Sequence, residues 1–147
     1  MSKFTKKLFS LGELYVSDFI NVDSDARAGK HDMTLVIDER YGAARLDKCT
    51  PIHSMFGKYW YRSGINTTMK KELEGIVESI EKVHKLNDDD LWLDIACNDG
   101  TLLSYVPPNI LKLGIDPADN TFAIEARRVA DDVVQDYFSL QGDYTSR

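Results

Sequence analysis

Hydrophobic and polar residues follow a β-type pattern in the first part of the chain. Short apolar runs alternate with polar turns through residues 1–62, and the apolar run 33–37 has the length and composition of a strand. Tyr41 and Gly42 follow this run and indicate a turn into another strand. The pattern predicts a small β-rich module over residues 1–62.

The period becomes helical after residue 66. Apolar residues recur there at steps of three and four, with lysines and glutamates between them. Asn66 or Thr67 provides a cap at the start, and the segment LNDDD ends the pattern. We therefore expect an amphipathic linking helix within residues 63–88. Its apolar positions are Met69, Leu73, Ile76, Val77, Ile80 and Val83.

From residue 89 onward, short apolar runs alternate with helical segments. Strands joined by helices pair in parallel through right-handed crossovers, so we predict an α/β domain with about three parallel strands over residues 89–147. The predicted strands are 91–95, 111–115 and 132–137. The predicted helices are 101–106, which Pro107 and Pro108 end, and 120–129.

The composition narrows the classes of protein to consider. The 147 residues are 43% hydrophobic and 29% charged, enough for one ordinary soluble domain or two small ones. A net charge of -6 and a pI near 5.0 argue against a nucleic-acid or anionic-membrane surface, because such surfaces are basic. No apolar run approaches the roughly 20 residues that span a bilayer, and the apolar part of residues 2–9 is too short for a secretory signal. We expect a cytoplasmic protein.

The cysteines and histidines do not have the spacing of metal ligands. Cys49 and Cys97 lie far apart, and neither belongs to a CxxC pair. His31, His53 and His84 are scattered, with no HxH or HxxxH pattern. We therefore predict two free thiols in a reducing compartment and no metal site.

The segment LWLDIACNDGTLL, residues 91–103, carries the most informative chemistry. Asp94 closes a predicted strand, and the turn after it contains a single glycine, Gly100, so a G-x-G-x-x-G dinucleotide fingerprint is not supported. Asp116 ends the next predicted strand, where doubly wound folds place a carboxylate against ribose hydroxyls. Two acids would repel a phosphate, so they suit a ligand with an ammonium group or hydroxyls. We expect both acids to face one crevice.

These residues resemble a known family. LDIACNDGTLL, followed by KLGIDPADNTFAIEARRVADDVVQDYFS, is similar to the first two cofactor motifs of class I S-adenosylmethionine-dependent methyltransferases. More narrowly, the chain resembles the sugar C-methyltransferases, with MFGKYWYRSGINTTM matching their Y-x-Y-x-S-G segment and FSLGELYVSDFI the entry into their small N-terminal domain. The resemblance implies a Rossmann-like sheet that binds S-adenosylmethionine.

The resemblance also implies roles for residues near the first motif. Asp94 and the turn that follows the strand would cradle the methionine part of the cofactor. The residues assigned to this cradle are Asp94, Cys97, Asn98, Asp99 and Gly100. Ala96 replaces the usual first glycine of the turn and adds a methyl group where the backbone comes close to the ligand.

A second group of residues would complete the cofactor site. Asp116 would accept hydrogen bonds from the ribose hydroxyls, and Pro117 would shape the turn beside the adenine. Tyr59, Tyr61 and Ser63 would close over the methyl donor. In an active enzyme of the family, a general base makes a carbanion on a keto sugar nucleotide, and this carbanion takes the methyl group. In the family, the general base and the sugar-nucleotide pocket lie beyond the strands predicted here, so the resemblance assigns no catalytic residue.

Other features depart from the family. Its N-terminal domain holds zinc through two pairs of cysteines, whereas Asp38 and Tyr41 stand in the expected positions of the second pair, so zinc binding is not expected. A complete sheet of this class has about seven strands, and about three are predicted here. We expect a truncated or split methyltransferase domain whose incomplete sheet associates with itself or with a partner protein.

Two hypotheses of different classes remain open. The first is a C-methyltransferase that acts on a sugar nucleotide when further chain completes it, with residues 89–147 as a partial cofactor-binding domain. The second is a non-catalytic structural or assembly protein built on the same scaffold. The cofactor acids favour the first hypothesis, whereas the missing cysteines and the short sheet favour the second.

Overall fold

A computed structural model describes residues 4–16, 29–56 and 60–140. The chain divides into two compact units, Met1–Phe56 and Gly57–Arg147. The described residues form a mixed α/β structure with two three-stranded sheets, one antiparallel and one parallel. The antiparallel sheet belongs to the first unit and the parallel sheet to the second.

The first unit is built on the antiparallel sheet. Strands β1 (Thr5–Tyr15), β2 (Lys30–Asp38) and β3 (Ala43–Leu46) pair in that order, with β2 in the centre. Val36 of β2 is fully buried. A short helix, α1 (Ile52–Phe56), follows the sheet. The predicted strand 33–37 lies within β2, so this part of the β-rich expectation is confirmed.

The turn between β2 and β3 also lies where the sequence predicts it. The backbone amides of Tyr41 and Gly42 both donate to the carbonyl of Asp38, at 3.2 and 2.9 Å. The Asp38 carboxylate accepts from the backbone and guanidinium of Arg40, and this side-chain hydrogen bond holds the pKa of Asp38 below its usual range. Asp38, expected in a cysteine position of the family, therefore stabilises a turn.

The linking helix, α2 (Thr67–Val83), confirms the helical period of the sequence. Asn66 caps it, because its side-chain oxygen accepts from the amides of Thr68 and Met69, at 2.8 and 3.3 Å. Val77, in the middle of the apolar stripe, is buried. It packs with Val106 and Ile110 of the parallel-sheet region.

The parallel sheet consists of β4 (Leu91–Ile95), β5 (Leu111–Ile115) and β6 (Asp132–Val134), in that order. The three predicted parallel strands are thus present. The predicted strand 132–137 is wrong beyond Val134, because β5 ends at Ile115, the pairing partner of Val134. The chain then turns away at Asp116, whose amide donates to the Val134 carbonyl at 3.1 Å.

Both helices predicted in this unit are too long. The segment 101–106 contains only a 3-10 helix, Leu103–Tyr105, because Pro107 follows too closely for an α-helix to extend. Helix α3 (Asn120–Ala126) begins at the predicted residue but ends three residues before 129. The amide of Arg128 already bonds to the carbonyl three residues back, so the helix tightens into turns at its end.

One face of the parallel sheet is packed and the other is partly open. On the packed face, α3 and the 3-10 helix contribute to a buried cluster of Cys97, Leu103, Ala123, Ala126 and Val133. Gly114 allows this packing, since a Cβ there would lie 2.7 Å from the Cys97 sulfur. On the other face, β4 forms an edge of the sheet and exposes 55%, 40% and 50% of Leu91, Leu93 and Ile95, respectively. Leu111 of β5 is also exposed.

Candidate ligand site at the carboxyl ends of the parallel strands

Two acids lie at the carboxyl ends of neighbouring parallel strands. Asp94 is in β4 opposite Gly114 of β5, and Asp116 directly follows β5. The two oxygens of Asp116 accept from the amides of Asn98 and Ala118, each at 2.8 Å. Each oxygen keeps a further lone pair, so Asp116 can still accept a hydrogen bond from a ligand.

Asp94 has fewer hydrogen-bond partners than Asp116. Its side chain is partly buried, and within the described part of the chain it accepts no hydrogen bond. Burial raises the pKa of Asp94 to about 6, and the negative charge of Asp116 contributes to the rise. A carboxylate in this position would be stabilised by a cation or by hydrogen-bond donors from a ligand.

The turn between β4 and the 3-10 helix has three residues in the left-handed region. Ala96, Asn98 and Gly100 have φ values of 66°, 52° and 79°. Left-handed backbone is strained for alanine but not for glycine, so the alanine noted in the sequence stands at a position that favours glycine. Gly100 is required here, because a Cβ would lie 2.7 Å from the Cα of Ala126.

Cys97 lies inside the turn and faces the core. It is 4% exposed and packs against Gly114 and Leu103. Burial, together with the charges of Asp116 and Asp94, raises the pKa of the Cys97 thiol to about 12. The sulfur is therefore protonated at neutral pH, which suits packing rather than nucleophilic chemistry.

The side chains of Asn98 and Asp99 bind another part of the chain. Asn98 donates to the carbonyl of Tyr61 at 3.0 Å and accepts from the amide of Ser63 at 3.1 Å. Asp99 accepts from the amide of Gly64 at 2.7 Å. Its other oxygen accepts from the backbone and hydroxyl of Thr101. Any contact of Asn98 or Asp99 with a ligand would therefore use their backbone or their remaining lone pairs.

These contacts bring most of the predicted site residues into one neighbourhood. Tyr61 and Ser63 are held at the turn that begins beside Asp94, and Pro117 follows Asp116 as a partly buried residue. Tyr59, which the resemblance assigned to the same site, lies outside the described residues. The roles assigned to all these residues remain predictions.

The sequence did not indicate Arg62 as part of this neighbourhood. Its guanidinium pairs with Glu125, donates to the hydroxyl of Thr121 at 2.6 Å and lies 4.0 Å from the ring centroid of Phe122. These three partners belong to α3, about 60 residues further along the chain. An arginine between aromatic and small residues, in YWYRSG, is the one hint of this role in the sequence. The neighbouring residues do not indicate which distant side chains it binds.

A cavity runs beside Asp94. It has a volume of about 450 Å³ and lies between α2 and β4. Ile76 and Ile80 of α2, Trp92 and Asp94 of β4, and Leu102 are among its lining residues. His84 and Asp90 also line it, so the wall of this mainly apolar cavity contains two carboxylates and an imidazole. Such a cavity can hold a ligand that combines an apolar part with a cationic group.

Two further properties concern the described ranges as a whole. Among residues 4–16, 29–56 and 60–140, no group of three or more His, Cys, Asp or Glu side chains is arranged to hold a metal ion. In the same ranges, each helix is too short or too polar to cross a lipid bilayer. The expectations about zinc and about cellular location remain predictions.

Fold and site together define the class: a mixed α/β protein with two acids at the carboxyl ends of neighbouring parallel strands. No known family model matches this sequence, and no curated protein is significantly similar to it.

Proposed function

We propose that this chain binds S-adenosylmethionine, or a ligand with the same cationic and hydroxyl groups, on a Rossmann-like sheet. The observation that carries the proposal is Asp94, a partly buried carboxylate with a raised pKa and no hydrogen-bond donor among the described residues. Asp116 lies close enough to contribute to that pKa. An ammonium or sulfonium group near Asp94 would offset the two negative charges.

The residues present fit such a ligand. Asp94 would face the cationic methionine end, and Asp116 has acceptor capacity left for ribose hydroxyls. When bound, S-adenosylmethionine supplies a methyl group on a sulfonium. The protein's own part is to orient the ligand and exclude water at the turn. Transfer to a sugar nucleotide belongs to the proposal only if further chain supplies a general base.

The test is calorimetric titration with S-adenosylhomocysteine, which keeps the ammonium group and the ribose hydroxyls. We expect binding by the natural chain, loss of binding in Asp94→Asn and Asp116→Asn, and unchanged binding in Asp89→Asn, which alters an exposed acid outside the site. Absence of binding to the natural chain at millimolar ligand would contradict the proposal. Equal binding by all four proteins would show that the ligand lies elsewhere.

The pH dependence of affinity follows from Asp94. Ligand cations need the ionised carboxylate, and the pKa of Asp94 is about 6. Affinity should therefore be constant above pH 7 and fall by up to about tenfold per unit below pH 6. The titration repeated at pH 5, 6 and 7.5 measures this fall. Asp116→Ala keeps Asp94, so any residual binding by this variant should also weaken as the pH falls below 6.

A second candidate function is a non-catalytic assembly protein. Its supporting observation is the exposed apolar row on β4, which lies at an edge of the parallel sheet. Unpaired strand edges with apolar side chains favour pairing with another chain. This candidate gains support if S-adenosylhomocysteine does not bind and the protein associates through β4.

A further inference from the structure

Residues 60–65 form a segment, here called the strap, that lies against the turn after β4. Three hydrogen bonds attach its backbone to the side chains of Asn98 and Asp99. Gly64 sits so close that a Cβ would lie 2.9 Å from the Thr101 hydroxyl and 3.0 Å from an Asp99 oxygen. The strap is therefore seated directly on the turn.

A second attachment uses one side chain, that of Arg62. Its guanidinium pairs with Glu125, donates to the Thr121 hydroxyl and lies over the ring of Phe122. Phe122 is 2% exposed, so the ring is fixed in the core. The Thr121 hydroxyl in turn donates to Asp119, which caps α3. Arg62 thus attaches the strap to the first two turns of α3.

The attachment of Arg62 also orients its neighbours. Arg62 has extended backbone, with φ of −109° and ψ of 127°. Tyr61 precedes this extended residue, and Ser63 after it begins a short 3-10 helix, Ser63–Ile65. Fixing Arg62 on α3 therefore limits where Tyr61 and Ser63 can lie.

The strap is linked to Asp116 through a single residue. Asn98 binds the strap with its side chain and donates its own amide to Asp116 at 2.8 Å. Displacement of Asn98 would disturb both contacts. A ligand that fixes Asp116 would consequently favour the seated strap, since both depend on the same position of Asn98.

We propose that Arg62 is a positioning residue that holds the strap on the turn, and that the seated strap and a ligand at Asp116 stabilise each other through Asn98. The ligand part rests on the proposed function, whereas the closure of the strap rests on the contacts above. The Arg62 attachment is partly exposed and small enough to open thermally. Its loss should raise the open population about tenfold.

Amide hydrogen exchange measured by NMR tests the closure without ligand. In Arg62→Met, the Ser63 and Gly64 amides should exchange about tenfold faster than in the natural chain. The β5 amides should not change, which distinguishes opening of the strap from global unfolding. Arg128→Met, which removes a charge from the same region, should leave the strap amides unchanged. Equal rates in Arg62→Met and the natural chain would overturn the proposal.

A milder variant protects the test against misfolding. Glu125→Gln removes the ion pair but keeps Phe122 beneath the guanidinium. Exchange at Ser63 and Gly64 should then be intermediate between those of the natural chain and Arg62→Met. An unchanged rate in Glu125→Gln together with an unfolded Arg62→Met would assign Arg62 to general stability and overturn the positioning role.

Hydrogen exchange with ligand present tests the second half of the proposal. Saturating S-adenosylhomocysteine should slow exchange of the Ser63 and Gly64 amides in Arg62→Met, because a ligand held by Asp116 favours the position of Asn98 that seats the strap. Unchanged exchange of these amides with bound ligand would contradict the proposal. If the natural chain binds no ligand, the proposed function fails, and the exchange rates alone decide whether Arg62 holds the strap.

Discussion

At the scale of single residues, Asp94 and Cys97 show how the same environment affects two chemical groups. Burial raises both pKa values, to about 6 for Asp94 and about 12 for Cys97, and neighbouring acids add to both shifts. The raised pKa of Cys97 keeps its thiol neutral, which is the form that the apolar core accommodates. Asp94 is still mostly ionised at pH 7, and no described residue donates a hydrogen bond to its carboxylate.

The pKa of Asp94 predicts a pH-dependent stability difference. The pKa of Asp94 in the folded state, about 6, is above the usual value of 3.8, so the ionised carboxylate destabilises the folded state above pH 6. We expect Asp94→Asn to raise the free energy of unfolding by about 1 kcal/mol at pH 8, after allowance for solvent screening. The gain should shrink below pH 6 and vanish below pH 4. Urea denaturation at several pH values measures it, with Asp89→Asn as control.

The two cysteines should differ in reactivity. Cys49 is exposed, whereas Cys97 is buried and has a raised pKa. Iodoacetamide at pH 8 should label Cys49 in the folded protein and both cysteines in denaturant, as mass spectrometry of the peptides would show. Rapid labelling of Cys97 under native conditions would contradict the packing of its sulfur against Gly114.

At the scale of elements, periodicity and capping residues predicted the type of each helix or strand and where it begins. Asn66 caps α2, and the run LWLDI forms β4, because each signal lies within a few residues of its effect. The lengths of the helices and strands were predicted less well. The strand from 132 ends early because its partner β5 ends, and the segment 101–106 is too short for an α-helix between Gly100 and Pro107.

Two glycines in different elements should respond oppositely to alanine. Gly100 has a φ of 79°, and a Cβ there would meet Ala126 and Val129 at 2.7 and 2.8 Å, so Gly100→Ala should destabilise the fold by about 2–4 kcal/mol. Gly75 lies within α2 with open space around it, so Gly75→Ala should stabilise by about 0.5–1 kcal/mol. Thermal unfolding of both variants, compared with the natural chain, measures the contrast. Similar effects at both positions would contradict the close contact at Gly100.

At the scale of the whole molecule, the features proposed for function lie in one of the two compact units. The antiparallel unit contains a partly buried central strand and the turn at Asp38, whereas the candidate ligand site lies in the parallel unit. The apolar row on β4 belongs to that same unit. Ligand binding and association would thus both depend on β4.

Association through the edge of β4 is testable by sedimentation. We expect the natural chain to self-associate at micromolar concentration, since Leu91, Leu93 and Ile95 expose apolar surface on an edge strand. Leu93→Asp should shift the distribution toward a single chain, whereas Val83→Asp, at an exposed apolar position on α2, should not. A natural chain that sediments as a monomer throughout this range would contradict the expectation.

By itself, the sequence determined α2, the three parallel strands and the placement of Asp94 and Asp116 at strand ends, because periodicity, caps and strand order are local or topological signals. The tertiary structure decided which groups bind one another. The attachment of Arg62 to α3, the use of Asn98 and Asp99 to hold the strap, and the raised pKa of Asp94 all depend on burial and on contacts between distant residues. No local pattern contains that information, since it arises only when the chain is folded.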